Sequence, residues 1–418
     1  MNADETLAPT PPSQPPTTRW SVRVDSVSEC VEQLGRIWST AAEQAEQATL
    51  TSATREKALG DPHLSGRLDP RGSVRVRMRT SVLTLVVVAP QPETTERALA
   101  AINALHSRHP SRVIVVSPGD YDGPSALDAR IHAECKLSER TGGEICTEQI
   151  LVKTGGELSQ HLSRVVTPLL IHDLPTVLWW PEDPTFGSEQ FQQVVGMCDR
   201  LLVDSGTFRD DGSRRLAGLA AAVADGVQVV DVGWLRLRLW RELLAALFDH
   251  PLLTPELDHV SSLRIDVARP AAALRLPKAA YVCGWLAAAL NWQVARPLAA
   301  VDEAGELLTG TWRRGRREIE VEVRATHLVA GGPARAAGSL QRVEVEAGRS
   351  RSHVRATISR QRDHLLATAE WNGAQVARRA GRLEPFEEAP YVAEALERIG
   401  ADQVFERALL RAVRFVGG

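Results

Sequence analysis

Apolar residues follow two different rhythms along this chain. In the first 250 or so residues they come as short solid runs separated by stretches with helical spacing. Residues 20–24 alternate as a brief strand. Over 27–48, Val27, Val31, Leu34, Ile37, Trp38, Ala41 and Ala45 recur every three or four positions, which predicts a helix. The polar stretch 51–72 reads as a long excursion. Residues 82–88 are almost wholly β-branched or Leu, which suits a strand covered on both faces. A helix over 93–106 and a strand over 112–116 follow, and then two strands over 129–137 and 144–152, joined by a loop holding Gly142-Gly143. Gly155-Gly156 precedes a single helix over 157–171. Strands over 176–180, 199–204 and 227–231 then alternate with helices that include residues 191–196, 214–224 and 234–248. Strands alternating with helices at these lengths indicate βαβ units and a layered, largely parallel sheet with helices on both faces.

The rhythm changes near Pro251 and Pro255. After a strand over 262–268 and a helix over 271–291, period two takes over. Ile319, Val321 and Val323 alternate with Glu318, Glu320 and Glu322, and residues 342–346, 353–358, 364–371 and 375–382 continue the pattern. Such alternation marks antiparallel strands with one wet face. Helices over 391–399 and 401–415 close the chain. The expected organisation is a disordered tail over 1–18, an α/β domain over 19–252, and an α+β domain with an antiparallel sheet over 253–418.

Composition narrows the function classes. A net charge of −3 over 418 residues gives no bulk pull toward nucleic acid or anionic membrane. Lysine is scarce: Lys57, Lys136, Lys153 and Lys278 stand against 45 Arg. No run of 18 apolar residues suggests a membrane span. The N-terminal stretch has acids and prolines where a signal peptide has a basic then an apolar region, so a cytoplasmic protein is expected. The five cysteines form no CxxC pair, which argues against a disulfide framework or zinc knuckle. No phosphate-binding glycine loop, dinucleotide fingerprint, nucleophile elbow or HExxH helix is present. The histidines are scattered and suggest no metal site: His106 and His109 fit a helix end, His161 and His172 a helix and its exit, His353 and His364 a solvated sheet face.

Four features stand out. Leu174 to Pro181 is an apolar strand entered by proline and ended by Trp179, Trp180 and Pro181; core packing and a partner contact both fit it. Arg313, Arg314, Arg316 and Arg317 cluster beside Trp312, either as a solvated face or as a dock for an acidic or phosphorylated partner. Cys135 and Cys146 lie on successive strands, as inert thiols or as a redox-responsive pair. The acids Glu318, Glu320 and Glu322 suit a cross-strand ladder with arginines such as Arg342, Arg351 and Arg355 better than a catalytic carboxylate pair.

Taken in order, five blocks resemble the OpcA family, the glucose-6-phosphate dehydrogenase assembly proteins of cyanobacteria and actinobacteria. They are Arg108-His109-Pro110-Ser111-Arg112-Val113-Ile114-Val115, Glu144-Ile145-Cys146-Thr147-Glu148-Gln149-Ile150, Val166 to Pro175, Trp179-Trp180-Pro181, and Asp199 to Ser205. The stretch from about 80 to 235 carries the resemblance; the second half matches only in general pattern. The resemblance implies a partner of the dehydrogenase with no catalytic residues or cofactor of its own, one that promotes the active oligomer and raises substrate affinity by binding the active conformation more tightly. Cyanobacterial members are thought to carry a regulatory cysteine pair near the C-terminus. Here no cysteine follows Cys283, so that switch does not transfer. The rival reading is a sugar-phosphate enzyme, a lactonase or isomerase, using strand ends near Asp204-Ser205-Gly206 and Gly155-Gly156. A third is a metabolite-binding module without a partner.

Overall fold

The computed structural model describes residues 18–38, 77–79, 81–105, 109–137, 144–269, 274–327, 338–383, 387–398 and 400–417. The expected tail up to residue 17, the excursion 51–72, the far half of the first helix with Ala41 and Ala45, His106, and Gly142-Gly143 lie outside them.

Nine strands build the first sheet: β1 Thr18–Val24, β2 Arg77–Arg79, β3 Leu83–Val88, β4 Ser111–Pro118, β5 Ala126–Leu137, β6 Glu144–Gly155, β7 Thr176–Trp180, β8 Arg200–Val203 and β9 Val229–Asp231. The central order is β6-β4-β3-β7-β8-β9, every neighbour parallel. Counted from β3, that is the 3-2-1-4-5-6 order of the doubly wound dinucleotide-binding fold. β5 adds antiparallel to β6, β1 antiparallel to β5, and β2 parallel to β6. All six residues of β3 and all five of β7 are buried, as solid apolar runs predict for a sheet between helix layers.

Eight strands build the second sheet: β10 Val260–Arg269, β11 Gln293–Ala300, β12 Leu307–Arg314, β13 Arg317–His327, β14 Leu340–Arg349, β15 Ser352–Arg360, β16 His364–Trp371 and β17 Ala374–Arg382. Their order is β11-β12-β13-β10-β14-β15-β16-β17. The sheet is antiparallel except that β10 enters its middle parallel to β13. The alternation expected from the sequence is present: Val354, Ala356 and Ile358 are buried between more exposed neighbours.

The described helices are α1 over 27–38, α2 Pro92–Leu105, α3 Glu157–Gln160, α4 Leu162–Val166, α5 Glu189–Val195, α6 Ser213–Ala224, α7 Val232–Leu235, α8 Arg238–Phe248, α9 Pro277–Ala289, α10 Ala389–Glu397 and α11 Gln403–Val416. Three expected helices differ. The helix over 157–171 is broken at His161, whose backbone leaves helical values (φ −118°, ψ 60°), and ends in a 3-10 turn at Pro168, which lacks the amide a helix interior needs. The helix over 234–248 starts earlier and is interrupted at Arg236 and Leu237. The helix expected from 271 starts at Pro277, where proline's fixed φ and missing amide are tolerated.

The last two helices return to the first sheet. α10 packs on α2 and α7; α11 packs on α9, α6 and β11. α9 and α11 approach so closely that a Cβ at Gly284 would stand 2.1 Å from the Ala408 carbonyl oxygen. Phe415 stacks on Trp312 at 4.6 Å, and Phe405 joins Trp234 and Tyr281 in a cluster with ring centres under 6 Å apart. The chain's end thereby ties both sheets into one core.

Candidate functional site

In this strand order, ligands gather where the sheet reverses direction, beyond the C-terminal ends of β3 and β7. A dinucleotide-binding chain has a glycine-rich turn there, with the following helix N-terminus facing pyrophosphate. This chain has Ala89-Pro90-Gln91-Pro92 there, with acidic side chains close by. The Pro181–Pro184 loop leaving β7 brings Glu182 onto Thr94 in the first turn of α2, where Thr94 donates to the Glu182 carboxylate. Asp183, nearly buried, forms an ion pair with Arg215 at 2.8 Å. Arg97 pairs with Glu388, just ahead of α10, at 2.8 Å. Burial holds the Glu182 carboxyl above the usual carboxylate range despite Arg97 and Arg209.

Further along the same edge, beyond β8 and β9, lies a buried polar cluster. Asp231 caps α7: its Oδ1 accepts from the Gly233 amide (2.8 Å) and the Ser205 amide (2.9 Å), and its Oδ2 from the Tyr281 hydroxyl (2.5 Å). Asp204 accepts from the Gly206 amide at 2.9 Å and from Arg236. Burial raises the Asp231 carboxyl, and it lifts Tyr281 well above the ordinary phenol range. Arg236, in the turn between α7 and α8, holds Asp204 below the carboxylate range against burial, with Lys278 adding to that. These groups are almost wholly enclosed; Ser205 is 1% exposed.

Beside this cluster a cavity of about 190 Å³ opens between the two sheets. It is lined by Arg236 and Arg238 at the α7–α8 break, Lys278 in the first turn of α9, Arg360 and Arg382 at the ends of β15 and β17, and Tyr391 of α10. Sequence reasoning did not single out these residues. One signal was available: Lys278 is the sole charged residue in the apolar run 276–290.

The residues singled out in the sequence do not converge. Trp179, Trp180 and Pro181 are buried. The Trp180 ring lies 5.6 Å from that of Phe191 on α5, so both indoles serve the core and offer no surface. Arg313, Arg316 and Arg317 stand exposed around the β12–β13 hairpin, which turns at Gly315, while Arg314 pairs with Asp258 at 2.5 Å. Cys135 and Cys146 are directly opposed in the β5–β6 register. The two glycine sites proposed for a sugar-phosphate enzyme are apart: Gly156 (φ 57°) packs against Gly123 and Ser125, where a Cβ would stand 2.5 Å from a carbonyl oxygen, whereas Gly206 sits beside Lys278.

The expected ladder forms only in part: of its three acids Glu322 is paired, with Arg264 and Arg324, while Glu318 and Glu320 stand exposed with no ion pair among the described residues. Arg264 of the central β10 bridges Glu322 (3.1 Å) and Glu344 (2.6 Å), and Arg355 reaches Glu346 at 3.2 Å. Among the described residues no cluster of three metal-ligating side chains occurs, and no helix is long and apolar enough to cross a membrane.

Two family models match in sequence order: the glucose-6-phosphate dehydrogenase subunit N-terminal domain over residues 102–220, and the corresponding C-terminal domain over 227–409. The protein of Nostoc punctiforme named as OxPP cycle protein OpcA is 30% identical over 224 residues, covering 50% of this chain but only 45% of its own length. Its namesake in Synechococcus elongatus is 25% identical over 319 residues, 75% of this chain and 69% of the other. Among solved structures, Gal80p of Saccharomyces cerevisiae aligns at a TM-score of 0.43 and 10% identity over 81% of this chain and 95% of that one. GenD2 of gentamicin A biosynthesis gives 0.40 and 14% over 84% and 95%.

Proposed function

Because the chain belongs to the OpcA family, we propose that it is a non-catalytic cytoplasmic partner of glucose-6-phosphate dehydrogenase that favours the enzyme's active oligomer in the oxidative pentose phosphate pathway. The observation that carries this reading is the ordered match of both dehydrogenase-subunit domains across most of the chain. The switch-point crevice supports it: Glu182 and its neighbours occupy the ground a dinucleotide would need, so a redox cofactor meets carboxylates in place of an anion cradle.

A protein of this kind acts by differential affinity. If it grips the active form more tightly than the inactive one, populations shift by that ratio, with no bond made or broken by the partner itself. The exposed arginine hairpin of Arg313, Arg316 and Arg317 is the contact we favour, since Arg is enriched at interfaces and its charge speeds encounter with an acidic surface. Cys135 and Cys146, opposed in the β5–β6 register, are the candidate redox pair.

The direct experiment mixes the purified chain with the dehydrogenase of the same organism. Co-elution in gel filtration and an apparent KM for glucose 6-phosphate lowered by about threefold or more, on the order of 1 kcal/mol of coupling, are expected. Separate elution with unaltered kinetics rejects the proposal.

A further inference from the structure

The cavity between the two sheets holds a charge arrangement that the partner role does not use. Five of its lining side chains are cationic, against one carboxylate, Glu242. Lys278 is the extreme case. It is 7% exposed, and its ammonium has no hydrogen-bond or ion-pair partner among the described residues. Three costs converge on it. Burial strips its water. Its place in the first turn of α9 sets a positive charge on the positive end of a helix of thirteen residues. Arg236 and Arg360 add like charge, opposed by Asp204 and Asp231, and the ammonium's pKa is pushed down to about 8. The Nε–H of neighbouring Arg236 is likewise buried without an acceptor, although another nitrogen of that guanidinium holds Asp204.

A buried, unpaired cation beside an opening is unfavourable to folding unless an anion completes it. The helix terminus, the ammonium and the arginines all favour the same ligand sign. A phosphoryl group, with its acceptor oxygens and its charge near −2, suits several donors at once better than a single carboxylate does. At about 30 Å³ for each displaced water, the volume admits a phosphoryl group with a small polyol attached, and the leucines lining the same cavity could pack against the carbon skeleton. We propose that this cavity binds a small phosphomonoester, its phosphoryl group seated on Lys278 and Arg236. The inference does not rest on the dehydrogenase partnership and is tested on the isolated chain.

Calorimetry and thermal melting of the full-length protein would use glucose 6-phosphate, glycerol 3-phosphate, inorganic phosphate, glucose and gluconate. The two phosphomonoesters should bind and raise the melting temperature, while glucose and gluconate should do neither. Phosphomonoesters binding more tightly than inorganic phosphate support the assignment. Equal affinities would reduce the cavity to a free-phosphate site and overturn it. Lys278→Met should weaken binding by about tenfold or more and, because it removes an unpaired buried charge, should melt above the parent. A merely structural lysine would give the opposite change in melting. Arg360→Gln, at the cavity wall, provides a second variant expected to weaken binding. No binding by the parent at millimolar ligand, or undiminished binding by folded variants, overturns the proposal.

Discussion

The two sheets handle charge in opposite ways. In the first, an ion pair lies inside the core: Arg112 bonds Glu148, which is fully buried, also accepts from the Trp38 indole, and leaves Arg112 a second bond to the Leu169 carbonyl at 2.9 Å. In the second, Arg264, Arg324, Arg342 and Arg355 spread across one face and share Glu322, Glu344 and Glu346, with water reaching most of them. A parallel sheet between helix layers has no wet face on which to put charge, so each buried polar group needs its own partners. An antiparallel sheet with one covered face can spread charge over the other at little cost. The difference extends to the candidate surfaces: the first sheet's switch point carries half-buried acids, while the open cavity and the exposed arginine hairpin both draw on the second.

Truncating each network's central arginine puts this contrast to its hardest test. Arg112→Ala removes the ion-pair partner of the enclosed Glu148 and should cost about 3–5 kcal/mol in urea unfolding. Arg264→Ala, whose acids retain Arg324, Arg342 and water, should cost about 1 kcal/mol. Similar losses at both sites would show that the sheets do not differ as described.

The junction gives the next effect. Folded Lys278 titrates near 8 because burial disfavours its charge, with Arg236 and Arg360 adding to that and Asp204 and Asp231 opposing it. The unfolded chain keeps the ordinary value of 10.5. Between those pH values the unfolded state holds more protons, so this group makes unfolding harder as pH rises, by up to about 3 kcal/mol. Other groups titrate in the same range, so the quantity to read is the difference between the parent and Lys278→Met. A flat difference from pH 8 to 10.5 would count against a buried, unpaired ammonium.

The smallest effect on stability is expected at the hairpin. Arg316→Glu with Arg317→Glu should leave stability within about 0.5 kcal/mol, since both side chains are exposed. If the hairpin docks the dehydrogenase, the same pair should weaken the complex by roughly tenfold and flatten its salt dependence. Unchanged binding would move the contact elsewhere on the molecule.

Much of the architecture was legible because side-chain periodicity reports directly on which faces are covered. The solid run at β3 and the alternation at β13 and β15 each identified their sheet type. Local patterns said less about which strands meet. The entry of β10 parallel to β13 pairs residues about sixty positions apart, and no window of sequence contains that pairing. The double tryptophan misled for a related reason: Trp suits cores and interfaces equally, and only the packing of α5 against Trp180 decides between them.

By itself, then, the sequence determined the order of elements, the change of sheet type near Pro255, and the family through its five blocks. These depend on residue identity and short-range spacing, which survive without a folded chain. The tertiary structure decided that Glu182 meets Thr94 at the start of α2, that Arg264 bridges Glu322 and Glu344, and that Lys278 meets Arg236 beside an open cavity. Burial and charge proximity are properties of residues brought together from distant parts of the chain, and they come into being only when the two sheets and the returning C-terminal helices close on one another.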